Sequence, residues 1–132
     1  MLYRLFKVGK LPNEIVNKIS KEKILDRQEG LPAFVHYHDF EAKGKSFKSK
    51  IVRAVGAICL TDWGLYASIF SNTAIQFSWN DPRLKQINFD VKKKMISMSF
   101  EASVFDPAAK GKVDYQFKCK HPEEVLAKIN AQ

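Results

Sequence analysis

From Val52 to Phe70 the chain alternates on both sides of a short turn: Val52, Ala54, Gly56, Ile58 and Leu60 precede Thr61-Asp62-Trp63-Gly64, and Leu65, Ala67 and Ile69 follow it. A period of two puts every second side chain on one face of an extended backbone. This stretch therefore buries one face as two strands, and the Asp/Gly turn makes them an antiparallel hairpin. The register set here extends to the neighbouring strands, because a slip of one residue would turn the apolar set out to solvent.

The same period recurs on either side. Phe34, His36, His38 and Phe40 oppose Val35, Tyr37, Asp39 and Glu41 in a strand whose buried face the pattern leaves open. Lys43-Gly44-Lys45-Ser46 supplies a turn, and Phe47 opens the long strand that runs into the central hairpin. In that strand Phe47 and Ile51 place the apolar face on odd numbers, whereas Val52 to Leu60 place it on even ones. A one-residue bulge at Ile51-Val52 would reconcile the two, and it predicts that Lys48, Lys50 and Arg53 point outward together. After a turn at Asn72-Thr73, Ile75, Phe77 and Trp79 form a fourth strand closed by Asn80-Asp81-Pro82. Ile87 to Val91, Ile96 to Phe100 and Val113 to Cys119 follow as the fifth to seventh, with Lys92-Lys93-Lys94 marking one turn and residues 101–112 a surface loop.

Helical spacing appears at the two ends. Pro12 suits the first helical position, Glu14 the first turn, and Leu11, Ile15, Val16 and Ile19 share a face, which predicts a short helix over 12–20. Glu22 to Gln28 either extends it by a turn or forms a short strand, and Gly30-Leu31-Pro32 ends it in both cases. Before it, Leu2, Leu5, Phe6 and Val8 read as an irregular strand or strap packed on the domain. At the other end Pro122, Val125, Leu126 and Ile129 share a face behind Glu123 and Glu124, with Lys128 near the C-terminus to complement the helix dipole.

Length and composition suit one domain spanning 1–132, since 45% apolar residues supply a core without disulfides. Arg4 and Lys7 interrupt the first apolar positions too early for a secretory signal, which makes a cytoplasmic location the expectation, with peripheral attachment to a membrane as its variant. In that compartment Cys59 and Cys119 read as two buried thiols. Lysine and arginine exceed aspartate and glutamate 22 to 14, and the resulting charge of +8 favours an acidic protein, anionic lipid or nucleic acid as partner.

Seven antiparallel strands followed by one amphipathic helix resemble the pleckstrin-homology-like superfold, and Ala57-Ile58-Cys59-Leu60-Thr61-Asp62-Trp63-Gly64-Leu65-Tyr66-Ala67 is similar to the hairpin common in bacterial pleckstrin-homology and GRAM-type domains. The resemblance covers residues 33–131 and implies a mainly β fold, a partly open two-sheet barrel capped by the C-terminal helix, with residues 1–31 as a helical extension. It also implies a binding surface in and after the loop between the first two strands. Here that position holds Lys43, Lys45, Lys48, Lys50 and Arg53, with no acidic residue from Ala42 to Thr61. The family's basic motif ends in an Arg that is missing after Lys48-Ser49-Lys50, so a general interaction role ranks above specific phosphoinositide recognition.

Enzyme-like signals are few. His36 and His38 lie at i and i+2 on one strand face, where two imidazoles can share a metal; Asp39 points away and His121 precedes a helix, which favours structural histidines. No nucleophile has partner spacing, and no glycine loop suits a phosphate. Phe47 between Lys45 and Lys48 is the one basic-aromatic interleaving that suits nucleic acid. Trp63, in a tight turn, is either folded back on the sheet or offered to a partner. The expectation is a non-enzymatic binding or scaffolding module without cofactor, for an acidic protein or an anionic lipid surface, with self-association open to it. A nucleic-acid accessory domain and a small metal-dependent enzyme are the alternatives.

Overall fold

The computed structural model describes residues 9–132, so the strap read over Leu2 to Val8 lies outside the described residues. Among the described residues a short helix, α1 (Asn13–Ile19), precedes seven strands: β1 (Ile24–Ala42), β2 (Lys45–Thr61), β3 (Gly64–Ile69), β4 (Asn72–Ser78), β5 (Asn88–Lys92), β6 (Met95–Glu101) and β7 (Lys110–Phe117). A C-terminal helix, α2 (Pro122–Asn130), closes the chain. Among the described residues no helix is long and apolar enough to cross a membrane.

Hydrogen bonding makes the strands one antiparallel sheet in the order β4-β3-β2-β1-β7-β6-β5, left open between β4 and β5, and the two halves expected as the sheets of a partly open barrel are joined through β1. That strand is long enough to pair β2 along one side and β7 along the other. The two ends of the sheet nevertheless share a core: Ile75 and Phe77 of β4 join Ile96, Met98 and Phe117, and the rings of Phe77 and Phe105 lie 5.2 Å apart. Val125 and Ile129 of α2 are buried in that core, Leu126 only half so.

α1 covers the other face of the sheet. Leu11, Ile15 and Ile19 pack on Ala57, Cys59 and Tyr66, the odd-numbered side chains of β2 and an even-numbered one of β3. The central hairpin is thus apolar on both faces in its inner half, which explains why Val55 to Leu60 reads as an almost unbroken apolar run.

Four expectations are corrected. Gly30-Leu31-Pro32 does not end an element: β1 runs through it, absorbing the irregularity as register shifts between Ile24 and Asp26 and between Gln28 and Leu31, with Gly30 at φ +69°. A glycine in that conformation makes a bulge without terminating the ladder. The β3–β4 turn is at Phe70-Ser71, both at positive φ, and not at Asn72-Thr73. Pro12 caps α1 from outside with extended backbone and does not occupy its first turn.

The fourth correction bears on the site. Pairing of β1 with β2 is uninterrupted from Leu31↔Gly56 through Val35↔Val52 to Tyr37↔Lys50, so there is no bulge at Ile51-Val52. The change of parity lies further toward the turn, at Asp39 opposite Lys48: Asp39 has φ +48°, and the β1–β7 register shifts between His38 and Glu41. Gly111 of β7 crosses there against the Asp39 backbone, with no room for a Cβ. Phe40 and Phe47 consequently sit on the same side as Tyr37, Lys50 and Val52.

Candidate functional site

The β1–β2 turn and the strand ends leading into it build a cavity of about 320 Å³. Tyr37, Phe40, Phe47 and Val52 supply its apolar walls, Lys43, Lys45 and Lys50 its cations, and Asp106, from the loop before β7, its one acid. The aromatic rings support one another: Tyr37 lies 4.9 Å from Phe40 and 5.6 Å from Phe47, and Phe40 and Phe47 stack at 6.1 Å with 14° between planes. Lys50 Nζ lies 4.2 Å from the Phe47 ring centroid, a distance at which the ring face attracts the ammonium.

A second cavity of about 200 Å³ shares Tyr37, Phe40 and Asp106 and is walled by Phe100, Phe105 and Tyr115. Phe100 contacts Phe105 at 4.4 Å and Tyr115 at 5.4 Å, so an aromatic band continues from the turn into the core. Burial, and secondarily Tyr37, pushes the Tyr115 hydroxyl up to about 12. It stays a neutral hydrogen-bonding group across the physiological range.

The five basic residues read from sequence do not form the single outward cluster that a bulge at Ile51-Val52 required. Lys43, Lys45 and Lys50 surround the aromatic cavity. Lys48 instead lies beside Asp39 and Glu41, and Arg53 is on the opposite face with Phe34, His36 and Ile51. None of the five makes an ion pair among the described residues, in contrast to Lys18, Arg27, Arg83, Lys92 and Lys128, each of which does. Tyr37, Phe40 and Asp106 were not singled out, because strict alternation puts Tyr37 and Phe40 on opposite faces. Asp39, a type of residue tolerant of left-handed backbone, was the one sequence signal for the kink that unites them.

Trp63 is folded back. Its ring stacks on Tyr66 at 5.5 Å, and Lys18 Nζ lies over it at 2.8 Å from the centroid, at the end of β2 remote from the Lys43 turn. Phe47 and Trp63 are therefore not brought together. The His36 and His38 rings are 3.8 Å apart, and His36 Nε2 lies 3.4 Å from Ser49 Oγ. Among the described residues no three His, Cys, Asp or Glu side chains are grouped to hold a metal ion. Cys59 and Cys119 are both free and buried, one beneath α1 and one in the main core.

No protein-family model, curated protein or solved structure matches this chain.

Proposed function

We propose that this chain is a non-enzymatic, pleckstrin-homology-like binding module whose partner is an acidic protein segment held at the β1–β2 end. The strand order, the α2 cap and the hairpin motif support the family reading. The observation that carries the functional one is the set of cations, without ion-pair partners among the described residues, around an aromatic cavity. Exposed ion pairs contribute about 0–1 kcal/mol each, so charge alone gives weak attachment. The apolar walls add what the lysines lack, since a buried apolar side chain contributes about 1.5–3 kcal/mol.

Lys50 and Arg53 lie on opposite faces of β2. A flat bilayer meets one face, whereas a chain segment following the strand meets both, which favours a protein partner over a membrane. The test is a titration against an acidic peptide and, in parallel, against anionic and neutral vesicles at low and high salt. Binding to the peptide, weakened by salt and reduced at least about tenfold by Lys43→Glu with Lys45→Glu and Lys50→Glu, is the expected result. Preference for anionic vesicles alone makes the partner a membrane surface, and no affinity for either probe at low salt refutes the module.

A further inference from the structure

We infer that the acidic segment binds by adding as a strand to the open edge of β2 between Ser49 and Arg53. This rests on the proposed anionic partner and specifies how it is held. β2 is paired with β1 along its whole length, but β3 reaches only Gly56 to Leu60 on the other side. From Lys45 to Ala54 that second side carries no strand among the described residues.

The direction of its backbone groups follows from one bond. Phe70 N donates to Val55 O at 2.9 Å, so the Val55 carbonyl points away from β1. In an antiparallel strand the N–H and C=O of one residue project to the same side and alternate along the chain. Arg53, Ile51 and Ser49 therefore present both groups to the open side. All three are exposed, Ile51 to 62%. An edge of this kind is a template for another strand, and lysines on it are one way in which proteins discourage the wrong one.

Charge selects the occupant. A second copy paired antiparallel about Ile51 would oppose Lys50 to Val52 and set the two Lys50 side chains diagonally across one face, and like charges brought together across a strand pair are unfavourable. Residues 1–8 of this chain contain Arg4 and Lys7 and no acid, so they carry the same sign. An extended acidic segment is complementary to both faces of the edge. Its side chains beside Lys50 and Val52 meet the mouth of the Phe47 cavity, and those beside Ile51 and Arg53 meet the other face. A segment with acidic and apolar residues on each face, as in a Glu-Glu-Val-Val repeat, fits this arrangement.

The experiment separates backbone pairing from charge. A short peptide of repeating Glu-Glu-Val-Val is compared with two versions N-methylated at alternate residues, one on each edge, and the protein with Ile51→Pro and Ile51→Ala. Proline removes an outward N–H without taking a bond from β1, whereas alanine keeps it. Methylation on one edge and Ile51→Pro should each weaken binding at least about tenfold, with methylation on the other edge and Ile51→Ala within about twofold of the unmodified pair. Circular dichroism and melting check that Ile51→Pro is folded; if it is not, the methylated peptides decide alone. Equal affinity for all three peptides overturns strand addition and leaves the acidic-partner reading standing, whereas no binding to any acidic peptide overturns both. A dimer of the free protein that Ile51→Pro dissociates assigns the edge to a second copy and overturns the inference.

Discussion

The Tyr66 hydroxyl donates to the Glu22 carboxylate, 2.8 Å from Oε1 and 3.0 Å from Oε2, and so ties β3 to the segment between α1 and β1. Thr61 Oγ1 donates to the same Oε1 at 2.7 Å, and Lys18 Nζ donates to the Tyr66 oxygen at 2.9 Å. Tyr66→Phe keeps the ring under Trp63 but removes the hydroxyl from a charged acceptor. A loss of about 1.5–3 kcal/mol in urea unfolding is expected.

The same hydroxyl predicts an alkaline effect. Burial first, then the hydrogen bond to Glu22 and its charge, hold the Tyr66 hydroxyl well above its ordinary value of 10.0. The folded state keeps a proton that the unfolded chain releases near pH 10, so this contribution is complete below pH 10 and declines as pH rises above it. Tyr66→Phe should flatten the fall in stability above pH 10, measured by denaturant midpoint against pH. A slope equal to that of the wild type would remove Tyr66 from the explanation.

Helix α2 is held more by Ile129 than by Leu126. Ile129 is 7% exposed within the main core, and Leu126 is half-buried at its margin. Ile129→Ala should cost about 2–5 kcal/mol, and Leu126→Ala less than that. Thermal unfolding of the two variants side by side tests the order.

Gly56 is a close crossing of β2 against β3 and the core. A Cβ there would lie 2.6 Å from the Ser68 carbonyl oxygen and 2.7 Å from Phe117 Cε1, and the first of these is backbone that cannot turn aside. Gly56→Ala is expected to destabilise by at least about 1–3 kcal/mol, the range for overpacking a core. Unfolding midpoints unchanged by the substitution would show that β2 and β3 can separate there without cost.

Thiol labelling reports opening beneath α1. Burial, offset in part by Arg27, pushes the Cys59 thiol up to about 11, and the side chain is fully enclosed. The thiolate is the reactive form, so labelling in native buffer should be slow. It should accelerate in Ile15→Ala, where the helix loses its fully buried contact with this face.

The hairpin from Val52, the three strands from β5 to β7 and the terminal helix were legible because each keeps one period throughout. β1 was legible only over Phe34 to Glu41, since its bulges at Leu25 and Gly30 interrupt the alternation before that point without breaking the ladder. The Phe70-Ser71 turn was hidden for another reason: two residues without special preference for positive φ are held there by the strands on either side. In the candidate site, Lys43, Lys45, Lys50 and Phe47 could be found from charge and composition. Their grouping with Tyr37 and Phe40 required the Asp39 kink, which is a property of three strands meeting at Gly111 rather than of any one segment.

β1 joins partners from distant parts of the chain: β2 follows it directly, whereas its other side awaits β7, bringing Ala33 to Phe117. Closing the first pairing spans a tight turn, and closing the second spans most of the molecule, which is slower. The β1–β2 ribbon is thus expected to assemble before the β5–β7 half docks, and during that interval β1 also has an uncovered edge. The cations along β2 then set like charge against like charge wherever two such ribbons meet, which opposes edge-to-edge pairing during assembly.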